Sequence, residues 1–353
     1  MRTFEYENSP AKYLTPEITN AVSAIHEYKG KQELYLEAKP DILNALGEMA
    51  KMQSTEASNG IEGIGTSSKR LREIVEEKSK PKTRDEEEIA GYRDVLAIIH
   101  ENYDHIEITP SIILHLHRDL YAYTMKPFGG SWKSADNSII EYDEKGNRSV
   151  RFQPLSAVAT PMAIEELCES YDHAIVEHVY DPLVLACMFV FDFICIHPFN
   201  DGNGRMSRLL TLLLLYRSGY FVGKYISIER VIEQSKETYY DALRASSSGW
   251  LEGKNDYGPF IRYMLGVILR AYKDFSERVE RVSVSKLTKQ ERVKAVFDKK
   301  VGKVAKNDIR MECPDISERT IARALSDLQK SGYIDLIGGG RNAAYVKRSS
   351  DAT

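Results

Sequence analysis

Cysteine is scarce in this chain, with four among 353 residues. Cys168, Cys187, Cys195 and Cys313 show neither a Cys-x-x-Cys spacing nor any other paired arrangement. That excludes a disulfide framework and a cysteine zinc site, and it predicts buried thiols in the reducing cytoplasm. Long apolar runs are missing too. The most apolar stretch, residues 183–195, is shorter than the ~20 residues of a membrane span and contains Asp192, so no membrane partner is expected. The first 12 residues are polar and charged, without the apolar segment of a secretory leader. Internal repeats and low-complexity tracts are absent, and so is a strong charge of one sign. The net charge is −4, but it is uneven. Residues 286–353 hold 15 Lys and Arg against 9 Asp and Glu, which leaves 33 against 43 in the rest. A basic C-terminal piece on an acidic body predicts two modules with different partners.

Between two apolar segments, residues 197–208 read His-Pro-Phe-Asn-Asp-Gly-Asn-Gly-Arg-Met-Ser-Arg. Charged groups squeezed between apolar runs are costly unless they meet a ligand, and these groups ask for a polyphosphate. Gly202 and Gly204 allow a sharp turn and a close approach of backbone to an anion. A helix starting near Asn203 would aim its free N–H groups and positive dipole end at the same spot. Arg205 and Arg208, three apart, would share a helix face and fork onto phosphate oxygens. Asp201 is a hard oxygen ligand of the kind Mg²⁺ shares with substrate phosphates. His197 alone here titrates near neutral pH, which makes it the candidate general base.

The same segment resembles the signature of the Fic family, His-x-Phe-x-(Asp/Glu)-Gly-Asn-Gly-Arg-x-x-Arg, at every fixed position. The resemblance implies an all-α helical fold and transfer of AMP from ATP to a Ser, Thr or Tyr hydroxyl of a target protein. His197 would deprotonate that hydroxyl, and Asp201 would hold Mg²⁺ at the α- and β-phosphates. Asn203 and the loop N–H groups would steady the α-phosphate, with Arg205 and Arg208 on the β- and γ-phosphates. Gly202 argues against the Doc-type kinase variant, which carries Ala there.

Helical periodicity dominates the rest. Helices are expected at 17–28 and 31–52, divided by Gly30, then at 67–78, 85–102, 110–122, 155–176, 181–196, 203–217, 229–246 and 256–284. Residues 129–153 break the pattern. Ile139, Ile140 and Tyr142 face Val150 and Phe152 across a Gly146-Asn147 turn, which is a hairpin signal. By the resemblance this is the flap over the nucleotide, with Ile139 and Ile140 above it. A target protein would add a strand to its edge.

Two further features extend the likeness. Tyr239, Tyr240 and Ser247 resemble the family's adenosine-side helix, although the family often has Asn where Ser247 stands. Ser58-Asn-Gly-Ile-Glu62-Gly63 resembles the family's inhibitory motif. A Glu62 carboxylate near Arg208 would form a bidentate pair with a guanidinium meant for phosphate. Gly60 lowers helix propensity by about 1 kcal/mol relative to Ala and predicts a short or easily displaced helix.

Residues 286–353 resemble a winged helix. A helix spans 289–299, and Ser317 caps a second one running to 331, with Ile321, Ala324, Leu325 and Leu328 on its apolar face. A hairpin follows around Gly338-Gly-Gly340. Arg319 and Arg323 lie four apart on the outer face and Arg341 sits near the wing tip, which suits DNA. Such modules also bind proteins or pair two copies into a homodimer. The expected organisation is an N-terminal helical region (1–84), a catalytic domain (85–285) and the winged-helix-like domain (286–353). The rival readings are removal of AMP from a modified protein, with Glu62 aligning water, and a nucleotide-sensing DNA-binding regulator.

Overall fold

The computed structural model describes residues 3–4, 6, 10–38, 40–142, 148–178, 180–284, 288–300, 302–338 and 343–348. Helices account for most of them, in line with the all-α reading. The chain divides into two compact units, Met1–Gly30 with Ala50–Tyr272 and Lys31–Met49 with Lys273–Thr353.

The first unit is organised around two helices buried on all sides, α7 (Pro182–Ile196) and α8 (Asn203–Arg217). A helix apolar all round belongs at the centre of a domain, and α7 has no exposed residue between Leu183 and Ile196. Asp181 starts it, its side chain accepting from the Leu183 N–H. The one carboxylate inside, Asp192, is fully buried and accepts from Tyr6 Oη at 2.7 Å, Trp250 Nε1 at 2.6 Å and Tyr257 Oη at 2.8 Å. Those hydroxyl and indole donors offset its desolvation.

The other helices up to residue 284 are, in chain order, α1 (Pro16–Ala38), α2 (Pro40–Ile61), α3 (Ser68–Val75), α4 (Arg84–Asn102), α5 (Pro110–Leu120), α6 (Thr160–Val176), α9 (Ile228–Gln234), α10 (Lys236–Ser247) and α11 (Gly258–Val284), of which α1, α2 and α11 each contribute to both units. The hairpin pairs β1 (Ile139–Tyr142) with β2 (Arg148–Phe152), antiparallel, and the register shifts between Ile139 and Ile140. Its expected turn at Gly146-Asn147 lies outside the described residues.

Three boundaries differ from expectation. The break placed at Gly30 does not occur, since α1 runs through it to Ala38 and the next helix opens on Pro40. One interior glycine costs a helix only about 1 kcal/mol, whereas proline suits the first helical position and disfavours helix before itself. The helix expected over 229–246 is two, parted at Ser235, whose hydroxyl meets Val231 O and Tyr263 Oη. The helix carrying the 58–63 motif is not short, with α2 spanning 22 residues.

In the second unit, α12 (Lys289–Lys299), α13 (Lys306–Glu312) and α14 (Glu318–Lys330) cover a three-stranded sheet. Its strands β3 (Val304–Ala305), β4 (Ile334–Ile337) and β5 (Ala344–Lys347) lie in the order β3-β5-β4. Val293, Phe297, Ile309, Ile321, Leu325 and Ile334 are among its core residues. Ser317 caps α14 through the Thr320 N–H. Gly339, Gly340 and Arg341 lie outside the described residues.

Candidate active site

The loop from His197 to Gly202 joins the C-terminus of α7 to the N-terminus of α8. His197 caps α7 in the left-handed region (φ 51, ψ 61). Gly202 caps α8 at φ 83, and a Cβ there would come within 2.9 Å of Tyr121 Oη. Asn203 closes the loop on itself. Its Oδ1 accepts from the Phe199 N–H at 2.9 Å and its Nδ2 donates to the Phe199 carbonyl at 2.8 Å. Oδ1 and one of the two Nδ2 hydrogens are engaged in this way, which leaves one amide N–H of Asn203 beside the cavity it lines, together with the backbone N–H groups of the first turn of α8, which have no partner within their own helix.

Around this loop opens a cavity of about 540 Å³. His197, Asn203, Gly204 and Arg208 form its floor, Ile139 and Ile140 of the hairpin face it, and Tyr239 and Tyr240 of α10 line a wall. Adjacent strand residues ordinarily point to opposite faces. Both Ile139 and Ile140 nevertheless line the cavity, at the point where the pairing shifts and Arg151 of β2 is left without a partner in the ladder. Tyr239 is buried against Phe260 and Tyr263, and the Arg151 guanidinium lies 5.7 Å from the Tyr240 ring centre.

His197 is held as a neutral base. Its Nδ1 faces the Ile194 carbonyl at 3.3 Å, which fixes the proton on Nδ1 and leaves the Nε2 lone pair open. Burial is the main influence pushing its pKa down, to about 4; nearby Lys133 and Arg151 add to it. The unprotonated form is present throughout the neutral range.

Arg208 is buried and held by Ser58 and Glu62, near the end of α2. Its Nε donates to Ser58 Oγ and its Nη2 to the Ser58 carbonyl and to Glu62 Oε1, each at 2.8 Å. The expected bidentate pair with Glu62 is thus a single contact, the rest of the fork being taken by Ser58. Glu62 also lies over the start of α8, since a Cβ on Gly204 would sit 2.2 Å from Glu62 Oε1. The carboxylate stands where an anion would meet the helix N-terminus. Three ties secure α2 beneath it: Ser54 Oγ to buried Glu229 at 2.7 Å, Glu56 to Arg230, and Lys236 Nζ to the Ile61 carbonyl at 2.7 Å.

Arg205 and Asp201 do not line the cavity. Arg205 is buried on another side of α8, with Nη2 2.7 Å from both Glu88 Oε2 and Tyr121 Oη. Three residues on an α-helix are 300° of rotation, and the 60° between Arg205 and Arg208 suffices to send the two to different neighbours. Its Nε and Nη1 have no hydrogen-bond partner among the described residues. Asp201 is half-exposed, with Oδ2 2.8 Å from Lys126 Nζ, which also meets Glu88 at 2.9 Å. Burial alone would raise the Asp201 pKa, but the Lys126 ammonium holds it below the usual range. Ser247 lines an adjoining hollow with Arg151, Phe152 and Trp250 and does not line the main cavity.

Sequence reading missed His117, Glu88, Lys126 and Arg151. His117 stacks on Phe199 at 3.6 Å, accepts from the Gly130 N–H at Nδ1, and so donates from Nε2 to the Asp201 carbonyl at 3.0 Å. The one available signal was His115-Leu-His117 on a half-apolar helix, which by itself reads as packing.

Residues 107–215 match the Fic/DOC family. The protein adenylyltransferase Fic of Drosophila melanogaster is 28% identical over 249 residues, 69% of this chain and 44% of that protein. The protein of the same name from Aedes aegypti is 37% identical over 86 residues, 24% of this chain and 15% of that one. The chain therefore spans less than half the length of these curated relatives. Among solved structures, a Fic family protein from Desulfovibrio desulfuricans superposes with a TM-score of 0.62 at 21% identity, covering 96% of this chain and 98% of that one. A Fic domain containing signaling protein from Bacteroides thetaiotaomicron gives 0.62 at 21%, over 75% and 100%. Both likenesses speak to the fold.

Proposed function

With residues 107–215 forming a domain of the Fic/DOC family, we propose that this chain transfers AMP from ATP to a hydroxyl of a target protein and is restrained by its own Glu62. One observation carries the reading: a neutral imidazole with its Nε2 lone pair free faces the same cavity as the N-terminus of α8, which Glu62 covers, and the Arg208 guanidinium. In the proposed reaction, His197 Nε2 takes the proton of the target hydroxyl as its oxygen attacks the α-phosphorus. The bond from that phosphorus to the α–β bridging oxygen breaks, and pyrophosphate leaves. The first-turn N–H groups of α8 receive phosphate oxygens, Arg208 takes the γ-phosphate once released, and Tyr239 and Tyr240 accept the adenosine. Ile139 and Ile140 cover the nucleotide, and the hairpin edge aligns the target segment.

Mg²⁺ fits this reading through Asp201. No cluster of three or more His, Cys, Asp or Glu gathers as a metal site among the described residues. The fit lies in the donor chemistry of Asp201, a half-exposed carboxylate now facing Lys126 that could be shared by one ion with phosphate and water. Bound there, Mg²⁺ would neutralise phosphate charge. Arg205, tied to Glu88 and 3.9 Å from Asp201, supports the Asp201 side of the loop.

A second reading rests on Glu62 lying in the cavity with His197. Its carboxylate suits a water that attacks the phosphorus of an AMP-modified protein, with Glu62 taking a proton of the water and the imidazolium form of His197, the minor form near neutral pH, giving its Nε2 proton to the leaving oxygen. Labelled ATP separates the two. Label appearing on protein supports transfer, label lost from a pre-modified target supports hydrolysis, and neither supports a nucleotide sensor.

For the C-terminal module we favour a winged-helix role in DNA binding. Arg319 and Arg323 are exposed on one face of α14, although dimerisation through the same module is the competing outcome. The four cysteines are free and buried, which suits the cytoplasm.

A further inference from the structure

The segment between α5 and the hairpin carries a lysine that the proposed chemistry does not use. Lys133 is 3% exposed. Its ammonium donates to two neutral acceptors, the Ile196 carbonyl at 2.9 Å and Asn137 Oδ1 at 3.0 Å. Its backbone N–H donates to the Pro198 carbonyl at 2.8 Å. One residue thus grips the chain on both sides of His197. Asn137 extends the grip, its Nδ2 facing the carbonyls of His197 at 3.5 Å and Phe199 at 3.4 Å. The Asn137 carbonyl in turn accepts from Gln153 Nε2 at 2.8 Å, at the foot of the hairpin.

Burying an ammonium with only neutral partners is costly. Burial pulls the Lys133 pKa down to about 8, with Asp136 acting the other way. Two features make the position favourable despite that cost. Ile196 ends α7, where helix carbonyls lack partners and the dipole is negative. His197 stands in the left-handed region, which a residue with a Cβ keeps only when its surroundings over-determine it. The bonds to residues 196 and 198 bracket that strained residue.

We propose that Lys133 is a positioning residue for His197: through Ile196, Pro198 and Asn137 it fixes the line along which the imidazole meets a hydroxyl presented beneath the hairpin. This rests on His197 being the base of the proposed reaction. The strut is geometric. Even the neutral amine keeps two N–H donors, so the arrangement survives loss of the Lys133 proton, and Glu62 and Arg151 remain the other charged groups acting on His197.

The test uses the full chain carrying Glu62→Gly, with Lys133→Met, Lys133→Arg and Asn137→Ala added singly. AMP transfer kinetics are read beside the His197 tautomer by nitrogen NMR. Lys133→Met is expected to lower kcat at least roughly tenfold, since the base would be misaligned, with KM for ATP within about threefold. Its His197 signal should change from one tautomer to a mixture. Lys133→Arg should recover most of kcat, and Asn137→Ala should give a smaller loss of the same kind. If Lys133→Met does not fold, Asn137→Ala carries the measurement. A kcat within threefold of the parent, or a fall in kcat with the tautomer unchanged, overturns the proposal. A parent with no transfer, whose Lys133→Met variant still loses its single tautomer, supports the strut and sinks the functional reading instead.

Discussion

Replacing Glu62 with glycine removes one side chain that does two things in this structure. It frees Arg208 Nη2 from a 2.8 Å contact, and it clears the carboxylate lying over Gly204. A hydrogen bond to a charged group is worth about 1.5–3 kcal/mol. The Glu62 side chain is 34% exposed, so the lower end applies, and ~1.36 kcal/mol corresponds to a tenfold change in rate. AMP transfer should therefore rise at least tenfold on release of Arg208 alone. Uncovering the helix N-terminus pushes the gain toward roughly a hundredfold, since an anion there gains up to ~2 kcal/mol. The two bonds from Arg208 to Ser58 remain, so the guanidinium stays oriented and does not collapse into the space Glu62 leaves. Adding Arg208→Ala should then lower the activity of the Glu62→Gly chain, because the γ-phosphate loses its partner. Autoadenylylation with α-labelled ATP, measured side by side for the wild type and both variants, decides the matter. A Glu62→Gly chain no faster than wild type refutes the inhibitory assignment, whatever the other variant does.

His197→Ala should abolish transfer while leaving ATP affinity within a few-fold, because the imidazole handles a proton and general bases contribute about 10²–10⁴-fold; transfer within threefold of wild type would remove it from that role. Asp201→Ala should flatten the Mg²⁺ dependence of ATP binding in calorimetry, and an unchanged titration counts against the metal assignment. Burial pushes the pKa of His100 down to about 3 and of His117 to about 4. Both take up a proton near pH 6.5 once unfolded, so the unfolded chain binds more protons below that pH and stability falls as pH falls from about 6.5 to about 4. Each contributes a slope of roughly 1.4 kcal/mol per pH unit there, and urea midpoints flat between pH 7 and pH 5 would contradict it. If α14 reads DNA, binding should weaken steeply with salt, and Arg319→Ala with Arg323→Ala should weaken it further and reduce the salt slope; binding indifferent to salt would leave pairing of two chains as the better account.

The residues of the motif, the hairpin and the segment 58–63 could be named from the sequence because each is a local pattern. Twelve consecutive positions hold a base, a hard oxygen ligand, two glycines and two guanidiniums, and alternating β-branched residues around a turn mark the hairpin. Asp181 opening α7 and Ser317 opening α14 are likewise short-range effects, legible without a fold, whereas local pattern misplaces the break before Pro40 at Gly30. Tertiary structure alone decided which of those side chains face the same space. Arg205 and Arg208 are alike in sequence, yet Glu88 from α4 draws one away from the cavity that the other enters. Asn203 closes its own loop through Phe199 while still lining the cavity, a double placement that only the folded loop shows. His117, Lys126 and Lys133 carry no motif at all, and they matter through partners 63 to 84 residues away. Helix periodicity fixes which residues share a face, but it is silent on what that face meets. Burial and long-range pairing settle that, and they set whether the His197 imidazole is neutral, whether Glu62 reaches Arg208, and where a lysine can hold the chain on either side of His197.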